Sequence, residues 1–122
     1  MGSDLSLILI AHGSKDPLWQ KSFEELNQKL KKDFSKDKIN LAFMDLNSPD
    51  LDAIILKLYK TGKKKFKVLP MFMASGRHME QDIPRQINQI KEKYVEVEIE
   101  LLKPIGEHPY FYSLLKQIIN EC

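Results

Sequence analysis

Four short apolar runs alternate with four helical stripes along this chain, and that alternation leaves few folds open to it. Leu5 to Ala11 is almost continuously apolar, as a strand covered on both faces must be. Trp19, Phe23, Leu26, Leu30 and Phe34 recur at spacings of four, three, four and four, one stripe of an amphipathic helix. Ile39, Leu41 and Phe43 give a second strand ending near Met44 and Asp45. Ser48-Pro49 predicts an N-cap with proline at the first helical position, ahead of the stripe Leu51, Ile54, Ile55 and Leu58. Gly62 stands where a helix end calls for a left-handed residue.

Phe66 to Met73 reads as the third strand. Pro70 within it cannot donate to a ladder, so either pairing lapses there or the strand is short and the chain leaves the sheet early. Ile83, Ile87, Ile90 and Tyr94 make a third stripe. Val95, Val97, Ile99 and Leu101 alternate with Glu96, Glu98 and Glu100, which predicts a half-exposed edge strand whose glutamates discourage edge-to-edge pairing. His108-Pro109 opens a last helix striped by Phe111, Leu114, Leu115, Ile118 and Ile119.

Strand followed by helix, repeated with short connections, implies α/β architecture: a parallel sheet with right-handed crossovers and helices on both faces. Strands one and three are the most apolar and belong in the centre, with strand four at the edge. Order 2-1-3-4 satisfies this and makes a switch point between strands one and three, outside whose carboxyl ends ligands bind. A length of 122 residues suits one flavodoxin-like domain over 1–122.

Composition narrows the function. A net charge of +2 is too mild to argue for nucleic acid, and Lys63, Lys64, Lys65 and Lys67 read as a solvated cluster. Leu5 to Ala11 is too short for a membrane span and lacks the basic flank and cleavage pattern of a signal peptide. Cys122 stands alone, so no disulfide closes within the chain, which suits a reducing cytoplasm.

Chemistry concentrates at the two central strand ends. The first run ends in His12-Gly13-Ser14-Lys15-Asp16-Pro17; the third opens VLPMFMASGRHMEQDIP, from Val68 to Pro84. His12 and His78, converging with carboxylates nearby, fit a catalytic metal site with open coordination positions, and neutral imidazole can also take a proton. The plainer alternative is that each histidine caps a helix or satisfies a loop; for His108, before proline at a helix start, that structural reading is preferred. Met71, Met73 and Met79 are expected to line a pocket rather than ligate. Arg77, Lys15 and Arg85 suit anionic groups on a ligand, with surface solvation an equal reading for Lys15 and Arg85; Ser14 and Ser75 sit in the mouth loops as hydrogen-bonding groups, which turn formation explains as well.

At these residues the chain resembles the small sirohydrochlorin chelatases, single-domain members of the class II tetrapyrrole chelatases. The resemblance is carried by AHGSKDP at 11–17, AFMDL at 42–46, VLPMFMASGRHMEQDIP at 68–84 and KPIGEHP at 103–109. It implies ATP-independent insertion of a divalent metal into sirohydrochlorin, with His12 and His78 holding the ion. Asp45 matches an assisting acidic residue, commonly glutamate, and Gln81 departs from a usually acidic position. Ser14, Ser75, Gly76 and Arg77 would meet the anionic macrocycle. The metal is then a substrate (Co²⁺ favoured, Ni²⁺ or Fe²⁺ the alternatives), with no tightly bound cofactor. Larger chelatases have two such domains, so a homodimer is implied, in cobalamin or sirohaem-type biosynthesis.

Three other readings compete. A non-catalytic metal or tetrapyrrole carrier would use the same residues. The histidine phosphatases are similar at the first strand end but place arginine before the histidine, where this chain has Ala11. A nucleotide binder would need a glycine-rich phosphate loop, and none follows a strand.

Overall fold

The computed structural model describes residues 5–35 and 37–122, with backbone alone at 78 and 79. Its elements are β1 (Leu5–Ala11), α1 (Pro17–Lys31), β2 (Ile39–Phe43), α2 (Leu51–Lys60), β3 (Lys65–Pro70), α3 (Ile83–Lys93), β4 (Glu98–Leu101) and α4 (Pro109–Glu121). The four strands form one parallel sheet in the order β2-β1-β3-β4, as expected.

The register sorts every side chain to a face. Ile8, Ile10, Ala42, Phe66 and Val68 meet Leu51, Ile55 and Leu58 of α2 and Ile83, Ile87 and Ile90 of α3 on one face. Leu9, Ala11, Ile39, Leu41 and Phe43 meet Phe23 and Leu30 of α1 on the other. β1 contributes to both layers, which is why its sequence does not alternate. Truncating a residue as enclosed as Ile10 would cost about 2–5 kcal/mol through lost transfer energy and the cavity left behind.

Several local expectations are corrected. Asp50, not Ser48, caps α2: its side chain accepts from Ala53 N–H at 2.9 Å. Pro49 is still closing the end of β2, its carbonyl accepting from Phe43 N–H at 2.9 Å, so the helix cannot start there. β3 stops at Pro70, the early exit allowed for above. Met71 N–H donates to Ile10 at 2.8 Å on the β1 side, so position 70 faces β4, which has already ended, and no ladder partner is lost. β4 begins only at Glu98, because Glu96 lies at φ 69 and turns the chain, leaving Val95 exposed. Gly62 takes the left-handed conformation expected of it, φ 97.

Two helical stripes also fall short. Phe34 lies beyond α1 and Leu26 is exposed. On α4 no residue is buried at all. The sheet face that α4 would cover carries Lys65, Lys67, Glu98 and Glu100, paired across β3 and β4, and a charged surface gives an apolar stripe nothing to pack on.

Candidate active site at the ends of β1 and β3

β1 ends at Ala11, whose carbonyl accepts from Met44 N–H at 2.8 Å, and the chain turns through His12, Gly13 and Ser14 against the loop after β2. A Cβ on Gly13 would lie 1.7 Å from the Asp45 carbonyl oxygen, so only glycine allows this approach. Gly13 N–H donates to Asp45 Oδ1 at 3.1 Å and Ser14 N–H to Asn47 Oδ1 at 2.6 Å. Asn47 is itself held, its Nδ2 donating to Gln20 Oε1 at 2.8 Å, and Trp19 Nε1 donates to the His12 carbonyl at 2.6 Å. α1 and the β2–α2 loop thus fix the histidine backbone from two sides.

The end of β3 meets it. The His12 ring stacks on Phe72, centroids 4.2 Å apart and planes 25° from parallel. Phe72 is buried and takes solvent away from one face of the imidazole. The β3 loop is pinned in turn by the 3₁₀ turn Ile105–Glu107: Gly106 N–H donates to the Phe72 carbonyl at 3.0 Å, and Ser75 N–H to Glu107 Oε2 at 2.7 Å. A Cβ on Gly106 would come within 1.9 Å of the Met73 carbonyl oxygen. A π-helical turn, His78–Asp82, then leads into α3, a geometry frequent at functional sites.

Between these loops lies an open cavity of about 370 Å³, with His12 and Trp19 on one side and Met71, Met73, Gly76 and Arg77 on the other. Its floor is apolar and its rim carries a guanidinium, so it suits a flat, largely apolar ligand with anionic substituents.

Of the residues singled out from sequence, His12, Gly76 and Arg77 line this cavity, as do Met71 and Met73. Asp45 sits at the neighbouring loop with its carboxylate on the Gly13 amide. The Ser14 hydroxyl accepts from Asp16 N–H at 3.0 Å within its own turn, while Ser75 is tied by its amide. Arg85 pairs with Asp82 at 2.5 Å. His108 caps α4, its Nδ1 accepting from Tyr110 N–H at 3.1 Å, in line with the structural reading. The side chains of His78 and Met79 lie outside the described residues, and among the described residues no three His, Cys, Asp or Glu side chains form a metal-holding group. Trp19, Phe72, Asn47 and Glu107 were not anticipated. The one available signal was AFMDLN beside HGS, two loops that a 2-1-3-4 sheet must make neighbours.

Comparison with known proteins follows the same line. The CbiX family model matches residues 6–122. A sirohydrochlorin cobaltochelatase of Sulfolobus acidocaldarius is 32% identical over 113 residues, spanning 93% of this chain and 88% of that protein. One from Sulfurisphaera tokodaii is 31% identical over 115 residues, 94% of this chain and 91% of that protein. The crystal structure of a CbiX protein from Marinobacter aquaeolei superposes with a TM-score of 0.83 at 32% identity, covering 96% and 93% of the two chains. The sirohydrochlorin chelatase SirB of Bacillus subtilis, in complex with cobalt, shares the fold with a TM-score of 0.81 at 20% identity; this chain matches 50% of its length.

Proposed function

Since the chain belongs to the CbiX family, we propose that it is a sirohydrochlorin chelatase, inserting a divalent metal into the macrocycle without ATP. The observation that carries this reading is the joint between His12 and Phe72, which brings the two central strand ends to one apolar, cation-rimmed cavity. The same assignment in similar proteins of comparable length supports it.

In this reading the macrocycle lies on Trp19, Met71 and Met73, and Arg77 meets its carboxylates beside Gly76, with Ser14 and Ser75 in the loops on either side. His12 and His78 present the incoming ion, which is substrate and leaves in the product. His12 keeps its backbone fixed through Trp19 and the Gly13–Asp45 contact, so the imidazole is positioned before the ion arrives. As the metal enters, the pyrrole N–H protons must leave. Two leave for each divalent ion, and an imidazole that has handed over the ion can accept them one at a time. Asp45, one hydrogen bond from the His12 loop, is the nearby carboxylate that can pass them to solvent.

Cobalt is the favoured ion, named in the relatives' activity, with Ni²⁺ and Fe²⁺ as competitors. The fold fills half of SirB, and the cavity is open to solvent, which supports a homodimer enclosing the macrocycle. A lone exposed cysteine fits a cytoplasmic protein. A carrier that binds without inserting is the second reading, favoured by Asp45 already being engaged with Gly13.

The test is the absorbance of sirohydrochlorin with Co²⁺, Ni²⁺ and Fe²⁺ in turn, each with and without protein. Many equivalents of metallated product per protein establish the chelatase and rank the metals. A spectral change that stops at one equivalent establishes the carrier instead.

A further inference from the structure

We propose that Leu46 is a substrate-contact residue: a strained turn after β2 holds its side chain out in solvent, where it meets the apolar face of the macrocycle together with Trp19 and Met73. The proposal rests on the chelatase reading above and adds a contact to that site on the β2 side.

Leu46 breaks two rules at once. Its backbone lies at φ 62, a region in which a leucine side chain crowds the following carbonyl. Its side chain is 68% exposed and belongs to neither core layer. The other described non-glycine residue at positive φ, Glu96, has ordinary reasons: it turns the chain into β4, and its carboxylate meets Lys64 Nζ at 2.5 Å. Among the described residues nothing comparable explains Leu46.

The turn is held, not slack. Asn47 N–H donates to the Asp45 carbonyl at 2.6 Å across Leu46, the rare positive-φ form of the γ-turn. Both flanks are clamped. Asp45 Oδ1 accepts from Gly13 N–H at 3.1 Å, Asn47 Oδ1 from Ser14 N–H at 2.6 Å, and Met44 N–H donates to the Ala11 carbonyl at 2.8 Å. Backbone strain persists only where its surroundings over-determine it, and such residues gather at ligand clamps.

The place of the turn says what it serves. Asp45 and Asn47, on either side of Leu46, grip the two residues directly after His12, so the leucine stands beside the His12 turn. Leu18 and Trp19 at the start of α1 and Met73 in the β3 loop are exposed as well. Four outward apolar side chains therefore collect at the carboxyl ends of β1, β2 and β3, around the cavity that Trp19, Met71 and Met73 line. At about 370 Å³ that cavity is at the small end for ligand pockets, so a tetrapyrrole overhangs it and gains from apolar contact beyond its rim.

Trp19 is the chain's one tryptophan, so quenching of its fluorescence by sirohydrochlorin, without metal, reads binding independently of turnover. The variants are Leu46→Gly, Leu46→Asn and Leu46→Met, each also followed by thermal unfolding. Leu46→Gly is expected to raise Tm by about 2–5 °C, because glycine takes φ 62 freely. It should also raise Kd about tenfold, which is what partly sequestering one leucine side chain supplies. Leu46→Asn, which tolerates left-handed backbone without the added chain freedom of glycine, should show the same pair of changes. Leu46→Met keeps the hydrocarbon and should hold Kd within about twofold. A stabilised Leu46→Gly with the wild-type Kd overturns the proposal, the strain then serving only to close the loop. So does a raised Kd in Leu46→Gly that Leu46→Asn does not share, or a fall in Tm for both, since the turn then stores no strain. Quenching without any metal insertion by wild type sinks the chelatase reading and leaves the contact standing; a wild type that is not quenched sinks both.

Discussion

Gly13→Ala tests how the site is built. The added methyl would sit 1.7 Å from the Asp45 carbonyl oxygen and 2.9 Å from Asn47 Oδ1. The first contact is with backbone, so no rotamer change relieves it; the His12 loop and the β2–α2 loop must part. Parting them stretches the Gly13–Asp45 and Ser14–Asn47 hydrogen bonds, now 3.1 and 2.6 Å. Overpacking of this kind costs about 1–3 kcal/mol and the two bonds about 1 kcal/mol each, partly overlapping, so the expected loss is about 2–4 kcal/mol. For a domain of this size that lowers Tm by roughly 10 °C. The imidazole moves with its loop, and a displacement of about 1 Å lowers the insertion rate on the order of 10²-fold. Gly76→Ala is the stability control, because a Cβ there meets nothing within 4 Å and should cost less than about 0.5 kcal/mol. Urea denaturation at matched slope reads the first quantity and sirohydrochlorin absorbance the second. A Gly13→Ala protein with the midpoint of Gly76→Ala would refute the reasoning.

The same logic reaches other positions. Gly106→Ala, whose Cβ would fall 1.9 Å from the Met73 carbonyl oxygen, should destabilise by about 1–3 kcal/mol and slow insertion through the β3 loop, measured by the same pair of assays. Asn47→Ala strips Ser14 N–H of its acceptor and should cost about 1–2 kcal/mol, while Asn47→Asp keeps the acceptor and should recover most of that in thermal unfolding. Asp52 joins α2 to α3 through Lys93 and Tyr94. Burial pushes its carboxyl up, but the hydrogen bonds from Lys93 and Tyr94, aided by the Lys93 charge, hold it below the usual 3.8. A depressed folded pKa gives stability that is present above 3.8 and disappears as pH falls through the folded value, so the denaturation midpoints of wild type and Asp52→Asn should draw together only as pH falls below 3.8.

Most of the scaffold was legible because it obeys local rules. β1 spans Leu5–Ala11 as its apolar run predicts, and the sheet takes the expected order 2-1-3-4, although the edge strand β2 is buried throughout and the central β3 carries Lys65 and Lys67 on one face. The misses have a common cause: they depend on partners distant in sequence. Ser48-Pro49 looks like a helix start until the Pro49 carbonyl is seen serving Phe43. The α4 stripe has helical spacing, but whether it packs depends on Lys65, Lys67, Glu98 and Glu100 facing it. In the site, motif residues His12, Gly76 and Arg77 stood out because their types carry chemistry. Asn47 and Glu107 accept backbone N–H groups 33 and 32 residues away, which no spacing announces. Trp19 was absorbed into a helical stripe, where its spacing placed it, although its indole serves the His12 carbonyl.

In the proposed function the ends of β1 and β3 form one metal-inserting site. The most direct measurement is the initial rate of Co²⁺ insertion into sirohydrochlorin by wild type, His12→Ala and His78→Ala, followed by absorbance at equal folded-protein concentration. Each substitution is expected to bring the rate down to the protein-free background with circular dichroism unchanged. A wild-type rate in either variant would contradict it.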